Sequence, residues 1–545
     1  MSTQGARSVR SVPGAAEGTD PKPAILRRFW PFRPGRTAVR VGALTVAAAF
    51  VYCLDSFILF RRFLATTFDL VIFDQGIRGY AHFRAPVSIA RGVSDGQNAH
   101  FLLLADHWSP ILALLAPLYW IHDSPTTLLV AQGVLFALAI PPLWLYTRRR
   151  LGEAPAYLVS VAYALSLPVM AAVVFDFHEA AFVPVLTAVM IERFDAGKRW
   201  HGILAAVVLL LVKEDMGLLV AGFGGYLLLT RRRWTGLAFI VGGLAATWVA
   251  TRVLIPAFGG SATFYWAYGQ FGSTLGSAAL NVLTHPLHAL DVFVTPWVKD
   301  RTMIGLLAAF GFLPLASPMV VAVLPLLAER MLASGYPLWW QAKFQYDAFL
   351  VMMLACAAVD GAARLQRHWP QRWDRWLIYR LTRPKWARQD GTPWKPATLW
   401  AAGICAAALV YFPSSPFGSL LHPGYYGLNA RARAAAAAVA HVPAGVEVEA
   451  ANNIGPHLSG RDTVLLLDGT PRWAPWVVAD TIGLDFPFCT PNQQAAEAAY
   501  LLAHGYTLVF ADDGYEVLHR PADWRTAQAL AHPLPAARLH TNICY

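Results

Sequence analysis

Residues 209–220 read Leu-Leu-Leu-Val-Lys-Glu-Asp-Met-Gly-Leu-Leu-Val, a charged triplet between two apolar runs, each too short to be a comfortable membrane span. Basic clusters flank the pair of runs, with Arg193, Lys198 and Arg199 on one side and Arg231, Arg232 and Arg233 on the other. Lys and Arg collect on the cytoplasmic side of membrane proteins. The chain therefore has to leave that side and return to it within this stretch. Lys213-Glu214-Asp215 then lies near the opposite, outer face.

The composition agrees with a membrane setting. The chain has 545 residues, of which 56% are hydrophobic and 14% charged, with a mean hydropathy of +0.42. About eleven apolar runs lie between residues 38 and 413, several of them short of the roughly 20 residues a full span needs. Pro314, Pro318 and the 213–215 triplet interrupt them, as happens where helices line a cavity. The net charge of +11 comes from short basic clusters between apolar runs. No continuous basic surface or aromatic reading motif accompanies it, which argues against nucleic-acid binding.

Five basic clusters set the direction. They are the tail before Arg40, Arg148 to Arg150, Arg193 to Arg199, Arg231 to Arg233, and the Arg- and Trp-rich stretch 364–388, which suits a helix on the anionic inner leaflet. They outweigh Arg61 and Arg62, which fall on the outer side. The expectation is an α-helical multi-pass protein of the bacterial cytoplasmic membrane with its N-terminus in the cytoplasm. Residues 1–37 form a disordered basic tail and 38–413 the membrane domain, with a large first outer loop at 61–125. Residues 414–545 alternate short strands with helices around the turn Asp512-Asp513-Gly514, and so read as a small extracytoplasmic α/β domain. Cys489 and Cys544, the two cysteines of that domain, are candidates to pair.

On this topology the polar clusters of the apolar region converge on one face. Ionisable groups at membrane depth are costly and are usually kept for function. Asp69 and Asp74 lie in Phe68-Asp69-Leu70-Val71-Ile72-Phe73-Asp74-Gln75, where an apolar neighbourhood would raise a carboxyl's pKa and suit it to base catalysis. The plainer reading is a helix cap or an ion pair to Arg61, Arg62 or Arg78. His100, Asp106 and His107 fit either a phosphate or a divalent metal, although their spacing matches no strong metal signature. Asp176, His178 and Glu179 sit among aromatics in one turn, which is otherwise an ordinary polar loop. Lys213 with Glu214 and Asp215 would meet a sugar-phosphate, or would form a self-neutralised buried ion pair. Tyr346 and Gln345, after Trp339-Trp340-Gln341, offer stacking and hydrogen bonds to a sugar, or belong to an interfacial aromatic belt.

The sequence FDLVIFDQ, then HWSPILALLAPLYW, LLVAQ, FDFHEAAF and LLVKEDMGL, resembles a family of predicted bacterial membrane proteins. The resemblance covers roughly residues 40–360 and continues through Asn452-Asn453-Ile454-Gly455-Pro456-His457-Leu458-Ser459-Gly460-Arg461. Members look like polyprenyl-phosphate-dependent glycosyltransferases of the membrane-embedded C-type fold. That fold implies an essential acid in the first outer loop, a lipid-linked sugar donor and an active site at the outer membrane face. Asp69 or Asp74 occupies the acid's place, Asp69 being favoured by position. Lys213, His100 or His107 is then the partner of the lipid phosphate. The implied partners are membrane lipids, a polyprenyl-phosphate sugar and an acceptor of unknown kind; a divalent metal is a possible cofactor. A secondary transporter and a non-enzymatic envelope scaffold or sensor are the competing classes. The absence of an inverted repeat and the one-sided polar groups weigh against the transporter.

Overall fold

The computed structural model describes residues 35–94, 99–261, 263, 265–368 and 396–520. The basic tail 1–34, most of the stretch 364–388, and Cys544 lie outside the described residues.

Six described helices are long and apolar enough to cross a membrane: Arg36–Arg61, Thr126–Leu151, Glu153–Val174, Arg233–Ala257, Gln345–Arg367 and Pro396–Ser414. This is fewer than the eleven apolar runs, because several runs do not form one continuous helix. The run at 318–333 begins as a 3-10 segment, Pro318–Val323, and becomes α-helical only over Leu324–Leu332. The runs beside the charged triplet form the short helices Arg199–Leu209 and Met216–Leu229. Proline and charge break the ladder where the expected spans would have needed it most.

Burial separates core helices from lipid-facing ones. The most apolar window of Gln345–Arg367 is 89% buried, against 22% for Arg233–Ala257. Small residues allow this: Ala355, Ala357 and Ala358 are buried with almost no accessible surface. The lipid-facing helices turn bulky apolar groups outward, among them Val46, Phe50, Val241 and Trp248. An exposed apolar surface of that extent requires a bilayer around it.

The helix that follows the triplet, Met216–Leu229, packs along Arg233–Val249 through glycines. A Cβ at Gly217 would run into the Gly243 carbonyl, and one at Gly236 would come within 2.7 Å of the Gly224 oxygen. Such close backbone approach is how helices associate in lipid, where no hydrophobic force separates them from the tails. It fixes the start of Met216–Leu229, and so the position of Lys213-Glu214-Asp215 just before it.

From Ala430 onward the fold changes to a five-stranded mixed sheet. Its strands are β1 (Glu447–Ala450), β2 (Thr463–Leu466), β3 (Trp476–Asp480), β4 (Thr507–Asp512) and β5 (Tyr515–His519), in the order β2-β1-β3-β5-β4. β1 is parallel to β2 and β3, and β5 is antiparallel to β3 and β4. The period-2 alternation gives the sheet two apolar faces. Val448, Val478 and Val517 join the large core with the helix Ala430–His441, while Val477, Ala479 and Leu518 pack with Ala498 and Leu501 of Pro491–Ala503. The strands, the two helices and the Asp513-Gly514 turn stand where the alternation of the sequence put them. Cys489 is disulfide-bonded, and Cys53, Cys356 and Cys405 are free.

Candidate active site

The two acids of the first loop have different surroundings. Asp74, on the helix Ile72–Ala81, is fully buried; both its oxygens lie 3.0 Å from Arg78 Nη2, and the Tyr119 hydroxyl donates to it at 2.7 Å. Arg78 in turn bridges to Asp123. Asp74 is therefore held in the Arg78 ion pair that sequence offered as its plainer reading. Asp69 lies on a π-helical turn, Thr67–Val71, and its carboxylate is 23% exposed. Single π-turns are costly and cluster at functional positions.

Asp69 Oδ1 is 3.2 Å from His178 Nε2. The opposite nitrogen, Nδ1, donates to the Asp176 carbonyl at 2.9 Å, which aims Nε2 at the carboxylate. The turn carrying His178 is held by Gln132, whose Oε1 accepts from the His178 amide at 3.0 Å while its Nε2 donates to the Ala172 and Phe175 carbonyls. The Asp176 carboxylate accepts from the Thr66 amide at 2.8 Å and from the Thr66 hydroxyl, tying the turn to the segment before Asp69. Burial opposes a charged His178, but the Asp69 carboxylate outweighs it and raises the imidazole's pKa. The imidazole is thus cationic below that raised midpoint, and loses its charge as pH rises through it. Burial and the nearby Asp69 push Asp176 up to about 7, against the Thr66 bonds.

Glu179, the next residue, faces the other way. Its Oε1 is 3.4 Å from Lys213 Nζ, and its Oε2 is buried without a hydrogen-bond partner among the described residues. Burial alone would lower the Lys213 pKa; Glu179, Asp215 and Glu214 together raise it, so the ammonium stays charged. Consecutive residues of one turn therefore link a partly exposed carboxylate to a half-buried cation: Asp69 to His178, and Glu179 to Lys213.

Lys213 lines a cavity of about 810 Å³, together with Glu214, Asp215, Arg252, Tyr265, Glu329 and Tyr346 among others. Asp69 is not among its lining residues. Apolar side chains such as Leu244, Trp248 and Val282 make up much of the remaining wall. Glu214 accepts from the Trp108 amide at 3.1 Å and sits 2.8 Å from His107 Nδ1, so the triplet holds the first loop in place. The His107 ring stacks on Tyr265 with centroids 4.8 Å apart. Burial pushes Asp215 up to about 7 against the pull of Lys213, and its Oδ1 has no hydrogen-bond partner among the described residues.

The remaining expected site residues divide. Asp106 is chelated by Arg91 through two bonds of 2.8 Å and accepts from the Tyr265 hydroxyl at 2.6 Å. Burial would raise its pKa, but Arg91 and His107 hold it well below the usual carboxylate range. His100 is exposed and does not line the cavity. Among the described residues, no group of three or more His, Cys, Asp or Glu side chains is placed to hold a metal ion. The Arg91–Asp106 side chains are only 5% and 8% exposed, so Asp106→Ala strands a buried guanidinium. Breaking such a pair costs about 3–5 kcal/mol, and thermal unfolding of the purified protein should show the loss.

Sequence reading missed Arg252. It lies on a second π-helical turn, Ala250–Leu254, inside an apolar helix, and lines the cavity without an ion pair among the described residues. A lone Arg within an apolar run was the signal available. Arg91 and Arg330 were missed too; Arg330 pairs with Asp347 at 2.9 Å and supports the segment ahead of the core helix.

The fold is that of the C-type glycosyltransferases. ArnT from Cupriavidus metallidurans bound to undecaprenyl phosphate matches with a TM-score of 0.50 at 13% identity, over 91% of this chain and 100% of that one. The same protein in its apo state gives 0.48 at 11% identity, with coverages of 91% and 100%. The archaeal oligosaccharyltransferase AglB from Archaeoglobus fulgidus, in complex with an inhibitory peptide and a dolichol-phosphate, gives 0.37 at 11% identity, over 91% of this chain and 75% of that one. No curated protein matches the sequence. The model of the predicted membrane protein family DUF2079 matches residues 60–383, more than half of the chain, and the protein belongs to that family.

Proposed function

We propose that the protein transfers a sugar from a polyprenyl-phosphate donor to an acceptor hydroxyl at the outer face of the membrane. The observation that carries this reading is the relay Asp69–His178–Glu179–Lys213, which sets a candidate base and a candidate phosphate cation on either side of one turn. Asp69 takes the acceptor's proton as its oxygen attacks the anomeric carbon. The bond from that carbon to the phosphate oxygen breaks, and the polyprenyl phosphate leaves with the electron pair. Lys213 and Arg252 balance the charge on the departing phosphate. Glu214 and His107 hold the loop against the cavity, Asp176 braces the relay, and Asp215 and Tyr346 shape the donor end. The largely apolar cavity wall suits a prenyl chain. Undecaprenyl phosphate bound by the structurally similar ArnT supports the same donor class.

The test is binding and turnover together. Purified protein titrated with undecaprenyl phosphate should show a saturable rise in thermal midpoint, as a ligand specific for the folded state produces. Membranes supplied with a polyprenyl-phosphate sugar should release polyprenyl phosphate in an acceptor-dependent manner. A panel of lipid phosphates that leaves the midpoint unmoved, while a soluble solute shifts it, turns the reading to a transporter. Arg252→Ala should weaken undecaprenyl-phosphate binding about tenfold, the loss expected for one charge-assisted contact, measured by the same midpoint titration. Orientation is tested by labelling intact cells with an impermeant thiol reagent. Cysteine at the exposed Gly427 should react, and cysteine at the exposed Lys198 should not. The reverse pattern overturns the outer-face placement.

A further inference from the structure

The segment Asn452-Asn453-Ile454-Gly455-Pro456-His457 follows β1, far from Asp69 in sequence, and the relay above does not use it. Asp69's π-helical turn begins at Thr67 with Thr66 as its N-cap, and the Thr66 side chain caps nothing. The first amides of a helical turn have no partner within it and must find one elsewhere. Asn452 supplies both. Its carbonyl accepts from the Thr67 amide at 2.6 Å and the Thr67 hydroxyl at 2.8 Å, and its side-chain Oδ1 accepts from the Phe68 amide at 2.9 Å. The residue is 3% exposed. Its amide nitrogen is turned to Asp485, which also accepts from the Asn453 amide at 2.9 Å, so the orientation of the Asn452 side chain is set by both of its ends.

The surroundings allow no slack. A Cβ at Gly455 would collide with the Thr67 hydroxyl, so only glycine permits this approach. His457 Nε2 lies 2.9 Å from the Phe60 carbonyl, and its ring stacks between Phe60 and Phe63 at 4.2 and 3.8 Å. The Phe68 ring lies 4.7 Å from Phe486. The C-terminal domain thus grips the chain at residues 60–63 and again at 67–68, directly before Asp69.

We infer that Asn452 is a positioning residue for Asp69: the C-terminal domain caps the π-helical turn and thereby sets the distance from the Asp69 carboxylate to His178. The consequence for sugar transfer rests on the function proposed above; the geometric claim does not. The groups around His178 are Asp69, Asp176 and Glu179, with the Phe73 and Phe175 rings against its faces.

The experiment uses the full-length protein in nanodiscs with isotope-labelled histidine, the His178 signal being identified by its loss in His178→Gln. Asn452→Ala should lower the His178 titration midpoint towards the value seen in Asp69→Asn. It should also cut the rate of transfer from a polyprenyl-phosphate sugar at least tenfold, with donor KM changed less than threefold. The charge-conserving exchange Asn452→Asp with Asp485→Asn keeps an acceptor for the Phe68 amide and a donor–acceptor pair behind it. It should restore both the midpoint and, within threefold, the rate. Should the alanine variant fold poorly, Asn452→Ser gives the same readings, because its shorter side chain cannot reach the Phe68 amide. An unchanged His178 midpoint in a folded Ala or Ser variant overturns the inference, as does an exchange variant no better than Asn452→Ala. A lowered midpoint in a protein whose wild type transfers no sugar upholds the role of Asn452 and overturns the transferase reading.

Discussion

Asp69→Asn should slow sugar transfer by about 10²- to 10⁴-fold, the range supplied by a positioned general base, and should leave the protein folded. The amide keeps the shape of the carboxylate at a site that is already 23% exposed, so little packing is lost. What it removes is the charge. The His178 imidazole then loses the partner that raises its pKa, and its midpoint falls. The rate assayed in membranes and the His178 titration should therefore change together. Asp74→Asn makes the contrast. Asp74 is wholly buried against Arg78 and Tyr119, so its loss should appear first as a lower thermal midpoint and reduced protein level. A folded Asp69→Asn protein that retains a tenth or more of its transfer rate would rule Asp69 out as the base. If Asp74→Asn lost turnover at full stability, the assignment of the two acids would be reversed.

The sequence made the two ends of the candidate site visible for different reasons. The triplet at 213–215 stood out because charge between apolar runs has few structural explanations, and the chain's reversal there is forced by the flanking arginines. The turn at 176–179 stood out because three titratable groups sit among aromatics. Their connection was not legible. Nothing in spacing says that His178 turns to Asp69 while Glu179 turns to Lys213, because that depends on which neighbour fixes each side chain. Here Gln132 and the Asp176 carbonyl do so. Asp106 stood out by its neighbourhood with His107 and does line the cavity, but its ion pair with Arg91, fifteen residues earlier on a short helix, was not legible. The strands of the C-terminal domain were readable because alternation of period 2 survives in short segments. The spans were less so, because hydropathy counts apolar residues and does not register where proline converts a run into 3-10 turns. The role of Asn452 lay outside any local pattern: its partners are 384 and 385 residues away.

Lys213→Met should weaken binding of undecaprenyl phosphate about thirtyfold, yet a single substitution cannot show why. Methionine leaves Glu179 buried beside an apolar group, and breaking a buried pair from one side costs about 3–5 kcal/mol of stability. Lost binding could then reflect a disturbed turn and not a lost contact. The double substitution Lys213→Met with Glu179→Gln separates the two. Both charges are gone, so the turn no longer carries an uncompensated carboxylate, and the thermal midpoint should recover most of the fall seen in the single variant. Binding should not recover. A phosphate deprived of the Lys213 ammonium loses a charge-assisted contact, and a deficit of about 2 kcal/mol corresponds to roughly thirtyfold weaker affinity. Glu179→Gln alone supplies the third corner of the cycle. It frees Lys213 from its nearest carboxylate, so undecaprenyl phosphate should bind at least as tightly as to the wild type, because the ammonium no longer divides its hydrogen bonds between Glu179 and the lipid. If the double variant binds like the wild type, Lys213 and Glu179 are a structural pair and nothing more, and Arg252, which lines the same cavity, is left as the cation for the phosphate.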